Sequence, residues 1–435
     1  MRKVVIASPI ETQSGYGQHA REFVSQIFKH KESEWDIKLL SMPWGHTPFT
    51  VKISDVWRNN LLPLPLQAQP DIWVQITVPN EFQPVGKFNI GVSAVTEGNI
   101  CKPEWIDAIN RFDIIIVPSI FSKSVFEETA KKANKPIKTT IIVIPEYLEP
   151  EYEADNRKSG IKIEGIDDIP EKFAFINVGH WLPGQLNHDR KDVSGLINTF
   201  FDTYKNTKNP PALILKTSGA TYSITDAATI QDKIRQIAEL HTGNLPNVYL
   251  LHGELSNDEM VALYEHPKVK AMVTFTKGEG FGRPLLEFST TGKPILAPYY
   301  SGQTDFLKKD FICSLPGGQT PIHKSAQSEF LIQGATWYSV DYRFASKMMK
   351  EVQKNYKKWS ELAKRQRFFA KNNFNNKAVS EKYKTLFDVI SEQTKDMPMQ
   401  QALVLPKLTP TVRSTPVQAP AEKPALQLPK LKVVK

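Results

Sequence analysis

Lys277-Gly278-Glu279-Gly280-Phe281-Gly282-Arg283-Pro284-Leu285-Leu286-Glu287 follows an apolar run, Ala271-Met272-Val273-Thr274-Phe275-Thr276. A β-like run that ends in a glycine-rich turn and opens into a helix is the repeating unit of an α/β fold. Pro284 suits the first helical position, where a missing N–H costs little, and Gly292 suits the end, where a left-handed residue is usual. Glu279 in the turn and Glu287 in the helix flank free backbone N–H groups, and a helix start of that kind attracts anions, phosphate above all. On its residues alone, the stretch is a phosphate-and-hydroxyl site on an α/β scaffold.

The surrounding sequence repeats the same alternation. Strands are expected at Phe173–Val178, Ala212–Thr217, Val248–Leu251, Ala271–Thr276 and Ile295–Ala297, and helices around Val193–Tyr204, Ala228–Leu240, Asn257–Tyr264 and Pro284–Thr291. Such alternation implies a parallel sheet covered on both faces, with right-handed crossovers that put the strand-end loops along one edge.

Toward the N-terminus, Lys3–Ala7 reads as a buried strand and Ser14-Gly15-Tyr16-Gly17 as a flexible turn. Ala20, Phe23, Val24, Ile27 and Phe28 then share one helical face. This is a first βα unit of nucleotide-binding type, although two loop glycines are weak evidence by themselves. Further strands are expected at Trp35–Leu40, Ile72–Thr77, Asn89–Val95, Asp113–Ser119 and Thr139–Ile144, with a helix over Ser122–Ala133 capped by Ser122. Thr96-Glu97-Gly98 lies at a strand's carboxyl end, where open α/β sheets put ligand groups.

A chain of 435 residues exceeds one ordinary core. The expected division is an N-terminal Rossmann-like domain over 1–165, a second over 170–345, C-terminal helices over 346–392 packing back toward the first domain, and a tail over 397–435. Seven prolines in that tail argue for disorder. It holds a near-repeat, Ala402-Leu-Val-Leu-Pro-Lys-Leu408 and Ala425-Leu-Gln-Leu-Pro-Lys-Leu431, read either as a docking element for a protein partner or as an inert linker.

The net charge of +9 resolves once it is located. From Met397 onward six basic residues face Glu422 alone, which leaves the body at only +4, weak as a nucleic-acid footprint. No apolar run reaches the roughly 18 residues that span a bilayer, and the N-terminal apolar run is too short for a signal peptide. Only two cysteines occur, Cys101 and Cys313, far apart and without metal-ligand spacing. These features fit a reduced, cytoplasmic protein, in a host cytoplasm if the source is viral.

Glu279-Gly-Phe-Gly-x-Pro-x-x-Glu287, followed by Gly292-Lys-Pro294 and a strand, resembles the E-x7-E element of retaining GT-B glycosyltransferases of the family 4 type. Phe175-Ile-Asn-Val-Gly179 with Asp189-Arg190-Lys191-Asp192 is similar to the start of their donor domain. Val248-Tyr-Leu-Leu-His-Gly253 with Asp258-Glu259-Met260 is similar to the stretch before their signature. Phe88–Ser119 and the Gly15/Gly17 loop are similar, more loosely, to their acceptor domain. The resemblance covers about Lys3 to Ile390 and implies two Rossmann-like, doubly wound α/β domains facing across a cleft.

It also implies a donor, a nucleotide diphosphate sugar, and no cofactor. Glu287 then accepts from ribose hydroxyls and Glu279 from the donor sugar's hydroxyls, as charge-assisted bonds. The amides of Gly280, Phe281 and Gly282 face the sugar or diphosphate. Lys191 matches the phosphate lysine, with Arg190 beside it and the Gly15/Gly17 loop assisting. The family often carries an arginine directly after the first-strand glycine, where this chain has Gly179-His180; Arg190 or His180 must supply that charge. Glu97, on the strand end where relatives present a histidine, is taken as substrate-facing and paired with Glu279 as a catalytic candidate. The ordinary alternatives are a surface pair of Glu287 with Arg283, a solvated Arg190–Lys191 pair, and a loop carboxylate in water at Glu97. No Asp-x-Asp and no His/Cys cluster occurs, so no metal site is expected.

The expected reaction is metal-independent transfer of a hexose, with retention, to a hydroxyl acceptor that the sequence does not specify. Two other readings stay open: glycosylation of hydroxylated DNA bases, as in some viral enzymes, and a non-catalytic sugar-nucleotide-binding assembly protein.

Overall fold

The computed structural model describes residues 1–45, 47–62, 66, 68–154, 161–219 and 221–397, together with the backbone of Leu431–Val434. The first sheet comprises β1 (Arg2–Ser8), β2 (Trp35–Ser41), β3 (Ile72–Ile76), β4 (Phe88–Val92), β5 (Ile114–Val117) and β6 (Thr140–Val143). All are parallel, in the order β2-β1-β3-β4-β5-β6. The middle strands are apolar on both faces, as Ile114-Ile-Ile-Val117 shows, because helices cover both sides. The helices of this half are α1 (Gly15–Lys31), α2 (Asp55–Arg58), α3 (Glu104–Ile109), α4 (Ile120–Ala133) and α5 (Pro150–Glu153).

The second sheet comprises β7 (Ala174–Val178), β8 (Ala212–Lys216), β9 (Val248–Leu251), β10 (Val269–Val273), β11 (Ile295–Pro298) and β12 (Cys313–Leu315), in the order β12-β11-β10-β7-β8-β9. Its helices are α6 (Val193–Tyr204), α7 (Ile224–Ala238), α8 (Asn257–Glu265) and the two-turn α9 (Arg283–Ser289). A hairpin the sequence did not announce, β13 (Gly317–Pro321) with β14 (Thr336–Val340), folds over Trp337 beside this sheet. Strand order reverses between β7 and β10, the place where doubly wound sheets bind ligands outside their carboxyl ends. Both halves are therefore α/β, parallel and doubly wound, as the sequence implied.

The long C-terminal helical stretch is three helices, α10 (Tyr342–Lys354), α11 (Tyr356–Asn373) and α12 (Asn376–Gln393). Asn375 ends the run by capping α12, its side chain accepting from the Ala378 N–H. Val379, Tyr383, Phe387 and Ile390 of α12 pack on α1 and the first sheet, with Phe23 edge-on to Tyr383 and Phe387 at ring-centroid distances of 5.7 Å. The chain thus returns to the half it started from.

Several boundaries differ from expectation. Ser119, not Ser122, caps α4, its Oγ accepting from the Ser122 N–H. Gly15 and Gly17 form no flexible turn: Ser14 caps α1 through the Gly17 N–H, so both glycines lie in its first turn. Strand β10 ends at Val273, which leaves Thr274–Thr276 to begin the loop. Helix α9 starts at Arg283, with Pro284 one position inside and Gly282 as a left-handed N-cap, φ 101°. The expectation of an irregular tail also needs correction at its end. Leu431–Val434, after the last proline and rich in β-branched residues, form β15, antiparallel to β9 at the sheet edge. The two A-L-x-L-P-K-L copies, apart from Leu431, lie outside the described residues. Among the described residues, no helix is long and apolar enough to cross a membrane.

Candidate functional site

The reversal point of the second sheet gathers the loops that follow β7 and β10. After β7 the chain runs to Asp189-Arg190-Lys191-Asp192, and two buried aspartates shape that turn. Asp189 accepts from the Val193 N–H at 2.9 Å and the Ser194 hydroxyl at 2.7 Å. Asp192, left-handed at φ 51°, accepts from Lys277 Nζ at 2.9 Å and the Tyr342 hydroxyl at 2.7 Å. The backbone N–H of Lys277 donates to the Arg190 carbonyl at 2.8 Å, so the loop after β10 is tied to the loop after β7. Neither Asp192 nor Lys277 stands out as a site residue in the sequence; they hold the loop carrying Arg190 and Lys191 rather than facing the cleft.

Glu279 sits at the centre. Lys191 Nζ reaches its Oε1 at 2.5 Å, the Thr276 hydroxyl donates to the same oxygen at 2.6 Å, and Arg190 Nη1 lies 3.4 Å from Oε2. Burial alone raises a carboxyl's pKa, but Lys191 and Arg190 outweigh it and hold Glu279 below its usual range. Burial likewise lowers Lys191, with Glu279 opposing. Glu97, from the far side of the cleft, lies 3.3 Å from Arg190 Nη1. The Arg190–Lys191 pair is therefore not a solvated surface pair, and Glu97 is not a carboxylate free in water.

His180 donates to or accepts from the Ser218 hydroxyl at 3.1 Å. Burial first, then Lys191 and Arg190, depress its pKa to about 4, so the imidazole is neutral near pH 7. Of the two residues left open by the sequence, Arg190 is the one that meets carboxylates, Glu97 and Glu279. Gly179 lets Lys191 lie across it, since a Cβ there would sit 3.1 Å from Lys191 Cε.

The glycines of the signature serve close approach between the halves. A Cβ on Gly278 would lie 2.2 Å from the Glu97 carbonyl, and one on Gly280 would lie 3.0 Å from Ala94. The Gly280 carbonyl accepts from Ser119 Oγ at 2.6 Å. Phe281 turns its ring into the core against Phe306. Facing them, Val95 has φ 64°, a genuine outlier for a β-branched residue, and Ser301 has φ 64° while its Oγ accepts from the Glu279 N–H at 2.9 Å. Such strain collects where the backbone is held to a task. Tyr16, between Gly15 and Gly17, accepts from the Ala94 N–H at 3.0 Å and stacks on Trp44. Gly17 admits no side chain, its Cβ falling 2.2 Å from the Thr12 carbonyl, whereas Gly15 faces open space.

Arg283 does not pair with Glu287 along α9. It crosses to the first half, where Nη2 contacts Glu22 of α1 and lies 2.7 Å from Glu146. Glu149 extends this contact by accepting from Gln18 and from Asn257 of α8. Burial pushes Glu287 up to about 8, against the pull of Arg283 and reinforced by Glu149 and Glu146. The cavity beside Glu279, lined by Val178, Lys191, Thr274, Gly282 and Leu285, holds only about 10 Å³, room for one water.

No family model and no curated protein matches the chain. Among solved structures, it is similar to Alr3699/HepE from Anabaena, crystallised with UDP and glucose, at TM-score 0.56 and 12% identity over 90% of this chain and all of the other. The sucrose-phosphate synthase of Thermosynechococcus elongatus matches at TM-score 0.56 and 11% identity over the same shares. The lipopolysaccharide outer core galactosyltransferase WaaB matches at 0.51 and 14%, again over 90% and 100%. At these identities the likeness is one of fold: two facing α/β halves of the GT-B kind.

Proposed function

We propose that this chain is a glycosyltransferase that moves a hexose from a nucleotide diphosphate sugar to a hydroxyl acceptor, with retention at the anomeric carbon and without a metal. The observation that carries the reading is the meeting of Lys191, Arg190 and Glu279 at the reversal point of the second sheet, opposite Glu97. As the sugar–phosphate bond breaks, negative charge grows on the departing diphosphate. Two fixed cations, already stripped of most of their water, stabilise it without reorganising. Exchanging the carboxylate for phosphate oxygens keeps Lys191 and Arg190 paired and frees Glu279 to accept from the donor sugar's hydroxyls. Glu287, in the second turn of α9, takes the ribose hydroxyls.

The solved structures crystallised with UDP or described as sugar-active share this two-half architecture, which makes UDP the first nucleotide to try. The test is release of UDP from a panel of UDP-sugars by the purified chain, with and without simple glycosides as acceptors. Turnover that disappears in Glu279→Gln supports the proposal. Tight sugar-nucleotide binding with no turnover on any donor or acceptor favours an assembly role instead.

A further inference from the structure

Strand β6 closes one side of the first sheet and, among the described residues, pairs only with β5. On the face where α1 and α12 pack, no helix follows β6 to cover it, because the chain departs for the second half. The result is a groove of about 720 Å³ between β5–β6 and α12. Ile114 and Ile142 contribute from the sheet, and Leu386 and Val389 from the helix, with Lys382 and Gln393 continuing the helical stripe. Val389 is 47% exposed, a large apolar side chain facing a groove rather than a neighbour.

We propose that this groove is the docking site for the chain's own segment Ala402–Leu408, the first A-L-x-L-P-K-L copy, laid beside β6 as an added strand. Where the chain leads selects this occupant. Gln393 at the end of α12 lines the groove, and Met397 packs against the adjoining core. Only Pro398–Gln401 separate Met397 from the segment, a reach of at most about 17 Å when extended. An extended segment alternates its faces, so Leu403 and Leu405 point to one side, matched to the apolar floor, while Pro406 is tolerated because an edge strand needs no donor on its outer side. Asp113, exposed at the groove's rim, offers a partner of opposite charge to Lys407. The second copy ends at Leu431, the first residue of β15 on β9. The residues between Leu408 and Leu431 extend to roughly 70 Å, enough to join the two sites. The first copy is thus a strap for the open edge of the first sheet, as β15 is for the edge of the second.

The full-length chain with Val389→Cys and Leu405→Cys tests this under mild oxidation, since Cys101 and Cys313 are buried. The expected product is an intramolecular disulfide joining α12 to the first copy, identified by peptide mass. Absence of that link, a stronger link in the Val389→Cys, Leu428→Cys chain, or covalent dimers carrying another molecule's tail each overturn the assignment. A second measurement does not depend on disulfide geometry. Alkylation of the single added cysteine in Val389→Cys is expected to speed up about tenfold when Leu403 and Leu405 are both made Asp, the protection given by a segment of ~0.1 mM affinity tethered at millimolar effective concentration. An unchanged rate, in a variant whose melting temperature is unaltered, refutes docking.

Discussion

Glu279→Gln keeps the shape of the central side chain and removes its charge. Lys191, 2.5 Å away, and Glu279 are each only 10% exposed, so this is no screened surface pair. Breaking a buried pair by removing one partner costs about 3–5 kcal/mol. Arg190 retains Glu97 at 3.3 Å, so the lower end, about 3 kcal/mol, is expected for Glu279→Gln. Lys191→Met leaves Glu279 its contacts with Arg190 and Thr276 and costs less, about 2 kcal/mol. The double variant removes the pair together and falls below the sum of the two by about 2 kcal/mol. Urea denaturation measures all three. Ligand binding then separates the roles. Lys191→Met loses a charge-assisted bond to a diphosphate, about 1.5–3 kcal/mol, or roughly a 10- to 150-fold rise in the Kd of UDP by calorimetry. Glu279→Gln leaves UDP affinity within about threefold, since UDP carries no donor sugar, yet it removes turnover. If Lys191→Met binds UDP like the parent chain, or Glu279→Gln weakens UDP equally, the division between phosphate cation and hydroxyl acceptor is wrong. Strict additivity in the double variant would show that the pair is not a pair.

Arg283→Met strands Glu22 and Glu146 between the halves and is expected to cost about 3–5 kcal/mol in urea denaturation, with a larger radius of gyration by small-angle scattering; a compact, equally stable variant refutes the idea that Arg283 joins the halves. Glu22 is pushed up to about 8 by burial, opposed by Arg283 and reinforced by Glu146, and Glu287 also lies at about 8. A carboxyl whose folded pKa is raised contributes stability present below its unfolded value and lost as pH rises through the folded one. Melting temperature should therefore fall between about pH 4.5 and 8, and Glu22→Gln with Glu287→Gln should flatten that slope. Lys277→Met leaves Asp192 buried without its cation and is expected to cost about 3–5 kcal/mol, while Asp192→Asn, which retains the Tyr342 hydrogen bond, costs less; denaturation midpoints in the reverse order would contradict this.

What the sequence disclosed follows from the range over which its signals act. The α/β alternation, the apolar strands and the Gly278–Glu287 unit are local, and they appear where expected to within a few residues. Arg190, Lys191 and Glu279 are legible as separate parts of one pattern; the contact of Lys191 with Glu279 across 88 residues is a property of the strand order, which sets β7 beside β10. Asp192 and Lys277 carry no visible role in the sequence, because a buried ion pair looks like two ordinary surface charges until both are enclosed. Arg283 invites pairing with its helical neighbour Glu287, since i,i+4 spacing is visible in a sequence, whereas Glu22, 261 residues away, is not. The glycines suggest a ligand because glycine before a helix suggests phosphate. Their neighbours, Glu97 and Ala94, belong to the other half and could not be seen from the pattern.

The return of α12 to α1 bears on how the molecule is made. Phe23 and Ile27 of α1 are made well before their partners, yet they are buried with Tyr383, Phe387 and Ile390, some 360 residues later. At about 5–20 residues per second, that interval is roughly 20–70 s. For all of it, the apolar face of the first sheet is without its cover. The first half is synthesised before the second and sealed after it, and folding factors that shield nascent hydrophobic surface should meet the first half rather than the second.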